Sequence, residues 1–372
     1  MAERMAGHAL VVGGGIAGLS AAWGLRRRGW QVTLFEQGAL PNPRASSHDE
    51  HRITRHAYGR MTGYARLMPQ AFAAWDRLWA DLGETHYLAT GATYVLRHDD
   101  GWHDATAQSL GELGIGFRDL PLDQLATRFP YLAPQGIQRL VETDGAGMLF
   151  PVRILTAMVA MLARRGVAMR AYSQVSEVDP EGGWLVADGK RYAGDAVVVA
   201  AGAWADRLVP GLKGVAVPSR QAVLYLAPPA ELAEAWSRAP VLLDRSAEGG
   251  LYILPPRWGT RLKIGDHHFS RRGDADADRM ATEQDLERLW PELKKTFRDA
   301  DRYAVLEKKA CYYTVTEDER FLLRPLGKAG WAVSACSGHG FKLGALIGDG
   351  VAATIAGERP HDALASWAAG DS

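Results

Sequence analysis

The chain has 372 residues, more than one small module needs at roughly 150 residues per domain. Its 43 basic and 43 acidic side chains cancel, so there is no overall field that would hold nucleic acid or an anionic membrane surface. A hydrophobic share of 47% with 23% charged residues is typical of globular proteins and excludes global disorder.

Neither the apolar stretches nor the cysteines indicate a membrane or secreted protein. The longest wholly apolar run, about ten residues at 196–205, is about half the length that a membrane helix needs. The start of the chain leads directly into a strand-like segment at residue 8, which leaves no room for a signal peptide. Only Cys311 and Cys336 occur, and they suit a reducing compartment. We therefore expect a cytoplasmic protein without nucleic-acid or membrane partners and without a bound metal.

The first motif lies in residues 8–36, which have the pattern of a strand, a glycine loop, a helix to about Arg28 and a second strand. The loop contains Gly13, Gly15 and Gly18, a spacing that lets a pyrophosphate approach the N-terminus of the helix. Glu36 follows the second strand, where a carboxylate can bind ribose hydroxyls. The motif predicts a dinucleotide site with a free 2′-hydroxyl, hence FAD or NAD rather than NADP.

After Glu36 the regular pattern is lost over residues 37–60. An NAD domain would continue with further βα units, so this long loop favours FAD. The loop follows the second strand and is expected at the carboxyl edge of the sheet, where such folds bind ligands. Arg52 and Arg55 are therefore candidates for binding an anion, although a solvated polar loop would have the same composition.

The remaining pattern alternates between α/β and β-rich segments. An amphipathic helix is predicted over 64–82, a strand over 92–97, a helix over 152–165, and strands over 167–172 and 195–199. Four further strands are predicted over 220–226, 241–244, 250–255 and 261–266. The chain closes with a helix near 282–298, strands over 302–316 and 331–335, and a helix to about residue 356.

This order predicts a mixed α/β protein with two discontinuous domains. A Rossmann-like FAD-binding domain is expected to comprise residues 1–82, 146–215 and 312–372. A substrate domain with a second, mainly antiparallel sheet is expected from residues 83–145 and 216–311. The ligand crevice should lie between them.

Two more glycine turns follow predicted strands. One is Ala201-Gly202-Ala-Trp204, and the other is Ser337-Gly-His-Gly-Phe-Lys342. A single turn of this kind is usually structural, but three strand-to-glycine turns could converge on one extended ligand.

Strand alternation over residues 261–267 places Arg261, Lys263, Gly265 and His267 on one face. Gly265 would leave a bare patch between Lys263 and His267 where a small ligand could approach. The alternative interpretation is a solvated sheet face. For Cys311, residue type alone favours a buried apolar thiol.

Four blocks in order resemble the family of monomeric sarcosine oxidase and N-methyltryptophan oxidase, among the glycine/D-amino-acid oxidase-type flavoproteins. They are Ser47–Gly59, Leu262–His267, Cys311–Phe321 and Ser337–Lys342, and the resemblance covers nearly the whole chain.

The resemblance implies roles for individual residues. It implies FAD attached to Cys311 through a thioether at the 8α carbon. Arg52 and Lys342 would hold a substrate carboxylate, and Lys263 would promote the reaction with oxygen. The residues implied to line the substrate pocket are His267, Tyr252 and Tyr313.

The expected cofactor contacts combine the three glycine turns with the loop and the cysteine. They are Gly13, Gly15, Ile16, Ala17, Gly18, Glu36, Gln37, Ser46, Ser47, Arg52, Val175, Ala201, Gly202, Trp204, Cys311, Gly338, His339, Gly340, Phe341 and Lys342.

The implied activity is that of a monomeric oxidase acting on a secondary-amine, N-methyl or N-substituted amino acid. It would yield an imine, its hydrolysis products and hydrogen peroxide, with O2 as the second substrate. His51 and Asp266 depart from the family pattern beside the expected pocket, so the amine stays open. Three alternatives stay open too: a flavin dehydrogenase that uses an electron carrier, an NAD-dependent oxidoreductase, and a non-enzymatic scaffold.

Overall fold

The computed structural model describes residues 5–371 except residues 329 and 335, the latter being the last residue of the strand expected over 331–335. The strands are β1 His8–Val12, β2 Gln31–Phe35, β3 Arg52–Thr54, β4 Tyr87–Ala89, β5 Ala92–Leu96, β6 Phe117–Leu120, β7 Arg139–Thr143, β8 Gly147–Leu149, β9 Ala168–Arg170, β10 Val175–Asp179, β11 Trp184–Ala187, β12 Lys190–Ala193, β13 Ala196–Val199, β14 Val217–Ala227, β15 Val241–Arg245, β16 Leu251–Leu254, β17 Leu262–Asp266, β18 Ala304–Val315, β19 Leu322–Leu326 and β20 Gly330–Ser334. The helices are α1 Ile16–Arg27, α2 Thr62–Leu82, α3 Trp102–Glu112, α4 Leu125–Arg128, α5 Pro151–Arg164, α6 Ala205–Leu208, α7 Ala233–Arg238, α8 Glu283–Leu286, α9 Leu289–Thr296, α10 Gly340–Ile355 and α11 Ala363–Ala368.

The first sheet has six strands in the order β19-β20-β13-β1-β2-β9. All neighbours are parallel except β19 and β20. Its central strands are continuous apolar runs because both faces are covered. Helices α1, α2, α5 and α10 bury one face, and the three-stranded sheet β10-β11-β12 packs against the other.

The second large sheet has eight strands in the order β18-β14-β17-β16-β15-β5-β7-β6. Only β15 and β5 pair in parallel. One face packs on α7, α8 and α9 through a core that includes Trp236, Leu289 and Leu293. The mixed α/β class with a second, mainly antiparallel sheet is thereby confirmed.

Helices α1 and α10 cross at unusually close range over the first sheet. A Cβ on Gly344 would lie 2.5 Å from the Ile16 side chain, and one on Gly348 would lie 2.3 Å from Ser20 Cβ. Both positions therefore have to be glycine for the two helices to pack this closely. This contact holds the N-terminus of α1 at the carboxyl edge of the sheet.

Two local expectations were wrong. The single helix expected over 282–298 is two helices, α8 and α9. Pro291 has no N–H to continue an earlier helix, and it is tolerated in the first turn of α9. The loop over 37–60 contains one short strand, β3.

The domain boundaries stay a prediction. Strand β18 runs from 304 to 315 and so crosses the boundary expected between residues 311 and 312.

Candidate active site

The three glycine turns meet at one edge of the first sheet. Strands β1, β13 and β20 are parallel, so the turns that follow them share that edge. A cavity of about 210 Å³ lies there, lined by all three turns. Gly13 has φ of +105°, and a Cβ on it would lie 2.3 Å from the Ala200 carbonyl oxygen. The first two turns therefore touch only because residue 13 is glycine.

Glu36 forms the end of this cavity. Its side chain is buried, and its carboxylate accepts hydrogen bonds from Gly14 N at 2.8 Å, Gly38 N at 2.9 Å and Asn42 Nδ2 at 2.9 Å. The carboxylate is thus fixed beside the first glycine turn, as a ribose-binding acceptor requires. Asn42 was missed in the sequence because the loop over 37–60 has no pattern that pairs it with Glu36.

Two adjacent serines connect the loop over 37–60 to helix α1 and to strand β18. Ser47 Oγ accepts a hydrogen bond of 3.0 Å from Ile16 N, at the first turn of α1. Ser46 Oγ donates to the Tyr312 carbonyl oxygen on β18. The loop therefore crosses the crevice between the two sheets.

Most residues expected to contact the cofactor line this cavity. They are Gly13, Gly15, Ile16, Ala17, Glu36, Gln37, Ser46, Ser47, Arg52, Val175, Ala201, Gly202, Trp204, Gly338, Gly340 and Phe341. Gly18 instead serves packing, since a Cβ there would lie 1.9 Å from the Gly13 carbonyl oxygen. His339 and Lys342 line a second, smaller cavity.

The two cysteines differ in position. Cys311, although expected to contact the cofactor, lines neither cavity; it is partly exposed on β18, two residues before Tyr313 and on the same strand face. Cys336 is also partly exposed and lines the larger cavity. No motif in the sequence pointed to Cys336 as a cavity residue.

The smaller cavity, of about 60 Å³, adjoins the larger one. The two share Arg52, Tyr313, Gly338 and Phe341 in their walls. Its remaining wall is aromatic, aliphatic and cationic, from Ile53, Arg55, Leu243, Tyr252, Leu254, Lys263, Asp266, His267, Phe269, His339 and Lys342. The predicted residues His267, Tyr252, Tyr313, Lys263 and Lys342 are therefore brought together.

Arg55 and Lys342 form a pair of cations at this cavity. The Arg55 guanidinium carbon lies 5.3 Å and Lys342 Nζ 5.0 Å from the centroid of the same ring, Tyr58. Arg55 Nη1 is buried and has no hydrogen-bond partner among the described residues. Burial, and then the charge of Arg55, lower the pKa of Lys342. An anion bound between these groups would give Arg55 Nη1 a hydrogen-bond partner and would favour the protonated form of Lys342.

Arg52, the expected partner of Lys342, is held elsewhere. Its Nη2 donates to the Ser46 carbonyl oxygen at 2.8 Å, and its Nη1 forms an ion pair with Asp49. Arg52 still lines both cavities. The contacts nonetheless favour Arg55 over Arg52 as the group available to a substrate carboxylate.

Lys263 lies on the face predicted by strand alternation, and the middle of this face, at Lys263 and Gly265, is buried rather than solvated. Its side chain is 1% exposed, and Nζ donates to Asp49 Oδ2 at 2.5 Å. The bare patch expected at Gly265 is covered by Tyr252, since a Cβ on Gly265 would lie 2.3 Å from the Tyr252 hydroxyl. The tyrosine side chain therefore fills the space that was expected to be open to a small ligand.

Desolvation shifts the histidine and tyrosine side chains of the smaller cavity toward their neutral forms. His267 lines the cavity and is solvent-exposed; desolvation, followed by the charges of Arg55 and Lys342, lowers the pKa of its ring. Burial also lowers the pKa of His339 to about 3, and its ring contacts the Tyr58 hydroxyl at 3.1 Å. Burial raises the pKa of Tyr252 and of Tyr313. The basic lining groups are Arg52, Arg55, Lys263 and Lys342, of which Arg52 and Lys263 are paired with Asp49 behind the wall, and the acidic lining group is Asp266.

Two further features bear on function class. Within residues 5–371, apart from the two undescribed positions, no group of three or more His, Cys, Asp or Glu side chains is arranged to hold a metal ion. No helix in the same part of the chain has the length and hydropathy to cross a membrane.

Comparison with known proteins gave concordant matches. Residues 8–354 match the family described as DAO, FAD dependent oxidoreductase. An N-methyl-L-tryptophan oxidase of Salmonella dublin is 26% identical over 348 residues, which are 91% of this chain and 92% of that protein.

Solved structures share the fold. The L-proline dehydrogenase of P. horikoshii superposes with a TM-score of 0.80 at 18% identity, covering 99% of this chain and 98% of the other. The fructosyl amine:oxygen oxidoreductase Amadoriase I of Aspergillus fumigatus gives 0.79 at 20% identity, covering 98% and 90%. At these identities the likeness concerns the fold alone.

Proposed function

Because the chain belongs to the DAO family of FAD-dependent oxidoreductases, we propose that it oxidises secondary-amine amino acids with O2. The product would be an imine, which water hydrolyses, together with hydrogen peroxide. The observation that carries the proposal is the cation pair Arg55 and Lys342 beside the cavity of the glycine turns. The 26% identical relative, named N-methyl-L-tryptophan oxidase, supports an N-substituted amino acid as substrate.

The larger cavity fits FAD by its own features. The backbone at Gly13 and Gly15 and the N-terminus of α1 would hold the pyrophosphate, and Glu36 the ribose hydroxyls. Residues 201–204 together with Gly338, Gly340 and Phe341 would border the ring system. When bound, FAD supplies the acceptor for the hydride equivalent removed from the carbon beside the amine.

The chain's own contribution would be binding and orientation. Arg55 can grip a carboxylate with two parallel hydrogen bonds, and Lys342 adds a point charge. Tyr252 and Tyr313 close the apolar side of the cavity and exclude water. A neutral His267 ring can accept a hydrogen bond from the N–H of the substrate amine and so orient it.

The roles of Lys263 and Cys311 belong to the same proposal. Lys263 would place fixed positive charge where the reaction with O2 develops negative charge. Cys311 would carry the flavin through a thioether.

All these groups come from one chain, so no partner subunit is needed; a cytoplasmic monomer stays a prediction. The alternative, a dehydrogenase that passes electrons to a carrier, differs in the fate of the electrons only.

An anaerobic amine panel tests the substrate class. Purified protein is mixed without oxygen with sarcosine, N-methyl amino acids, cyclic imino acids or glycated amino acids, and the flavin absorbance is followed. We expect at least one of these acids to bleach the flavin, and its decarboxylated amine to do so far more slowly. Bleaching by plain amines at equal rates would contradict the carboxylate site.

A further inference from the structure

Lys263 lies in a cluster of charged groups between the loop over 37–60 and the face of the eight-stranded sheet. Asp49, Glu50 and Arg52 come from the loop and β3. The strands contribute Tyr225 on β14, Tyr252 on β16, and Lys309 and Cys311 on β18, all of which affect Lys263 or its partner Asp49. The backbone carbonyl of His51 lies 3.5 Å from Lys263 Nζ, and the buried His51 ring has a pKa lowered to about 3.

Asp49 is the carboxylate at the centre of this cluster. It is 4% exposed, accepts from Lys263 Nζ at 2.5 Å and from the Tyr225 hydroxyl, and forms an ion pair with Arg52. Two of these three neighbours are cationic groups, so the contacts favour the ionised carboxylate. Neighbouring Glu50 is instead bound to Arg261 through its backbone N–H and its guanidinium.

Without a carboxylate, this site would not hold an ammonium group. Burial and the charges of Arg52 and Lys309 lower the pKa of Lys263 well below its usual range, although Cys311 and Glu50 act to raise it. Asp49 is the carboxylate in direct contact with Nζ, and its charge acts against that lowering. A buried lysine beside a guanidinium gives up its proton unless an opposite charge touches it.

We propose that Asp49 is a positioning residue that keeps Lys263 protonated, and so keeps the positive charge that the reaction with O2 uses. The inference rests on the proposed role of Lys263 in the function above. Asp49 acts through Lys263, and the substrate cations Arg55 and Lys342 form a separate pair.

The test follows the reaction with oxygen without any substrate. The flavin of the holoprotein is reduced with dithionite under nitrogen, mixed with oxygenated buffer, and its reoxidation rate is measured from pH 6 to pH 9. We compare wild type, Asp49→Asn, Asp49→Glu and Lys263→Met. The matched control is Glu50→Gln, which removes an adjacent carboxylate that binds Arg261, does not touch Lys263 and raises the pKa of Lys263 only as the smallest of the named contributions.

The readout is the reoxidation rate of Asp49→Asn divided by that of wild type. Above the pKa of Lys263 in Asp49→Asn, this ratio should fall about tenfold per pH unit until the rate of Asp49→Asn equals that of Lys263→Met. It should recover toward one as the pH is lowered, because the lysine is then charged again. Asp49→Glu should keep the wild-type profile, and Glu50→Gln should change it far less. An Asp49→Asn enzyme that reoxidises as fast as wild type or faster at pH 8.5, or with a ratio independent of pH, overturns the proposal.

A second measurement reads the proton itself in the wild-type holoprotein. In protein labelled with ¹³C at lysine Cε, the signal missing from Lys263→Met identifies Lys263. We expect it to show an ammonium group throughout pH 6–9, and to titrate inside that range in Asp49→Asn. A neutral or titrating Lys263 in the wild type contradicts the proposal. If Lys263→Met reoxidises at the wild-type rate, the proposed role of Lys263 in the reaction with O2 is wrong. The NMR measurement then still shows whether Asp49 keeps Lys263 protonated.

Discussion

Arg52 and Arg55 show how far single residues could be assigned from the sequence. The position of the loop after β2 was enough to make both of them anion-binding candidates. Which one is free depends on contacts with Asp49 and Ser46 that arise only on folding. The same holds for Asp49 and Lys263, which are 214 positions apart and belong to no common motif.

The carboxylate site predicts a difference between the two arginines. Arg55→Met should cost about 1.5–3 kcal/mol of binding to an amino-acid substrate, or about 10- to 150-fold in affinity, because charge-assisted hydrogen bonds are lost. The decarboxylated amine should be affected little. Dissociation constants from anaerobic titration of both ligands check this. If Arg52→Met removes the preference for the acid and Arg55→Met does not, the original assignment of Arg52 is correct.

The thioether prediction can be tested against the chain's other cysteine. Wild-type protein precipitated with acid should stay yellow, and peptide mass spectrometry should find the flavin on Cys311. Cys311→Ala should release the flavin into the supernatant, whereas Cys336→Ala should keep it bound. Cys336 lines the larger cavity, so flavin found on its peptide would reverse the assignment.

At the scale of elements, periodicity predicted most helices and strands but not their contacts. The apolar face over 64–82 forms helix α2 as expected, and its buried residues include Tyr64, Leu67 and Trp75. The single helix expected over 282–298 was wrong because its amphipathic pattern runs through Pro291. Proline has no N–H to continue a helix that begins before it. The close crossing of α1 and α10 could not be foreseen, since glycines at 344 and 348 do not identify the helix they meet.

That crossing predicts opposite effects for two glycine-to-alanine changes in helices. Gly348→Ala would place a Cβ 2.5 Å from the backbone nitrogen of Ala21, and we expect a loss of about 1–3 kcal/mol in the free energy of unfolding. Gly111→Ala, in α3 with nothing within 4 Å of its Cβ, should gain about 0.5–1 kcal/mol. Urea denaturation of both variants gives the comparison. Equal stabilities would mean that the helices do not pack as described.

At the scale of the whole molecule, the sequence predicted two sheets and a crevice between them. Three strands that end in glycine turns come from distant parts of the chain, and a parallel sheet brings their carboxyl ends to one edge. Because the carboxyl ends of parallel strands always meet at one edge of a sheet, the larger cavity could be predicted from the sequence. The smaller cavity depends on side chains from both sheets and the loop between them, such as Tyr252, Arg55 and Lys342, whose distances follow only from the packed fold.

Oxygen uptake tests the proposed oxidase most directly. Purified protein is given an N-methyl amino acid that bleaches its flavin, in air and without any electron carrier, and oxygen, amine and peroxide are measured together. For an oxidase we expect one hydrogen peroxide formed and one O2 consumed for each amine oxidised, over many turnovers. Flavin that bleaches but forms no peroxide until a carrier is added would contradict it and establish the dehydrogenase.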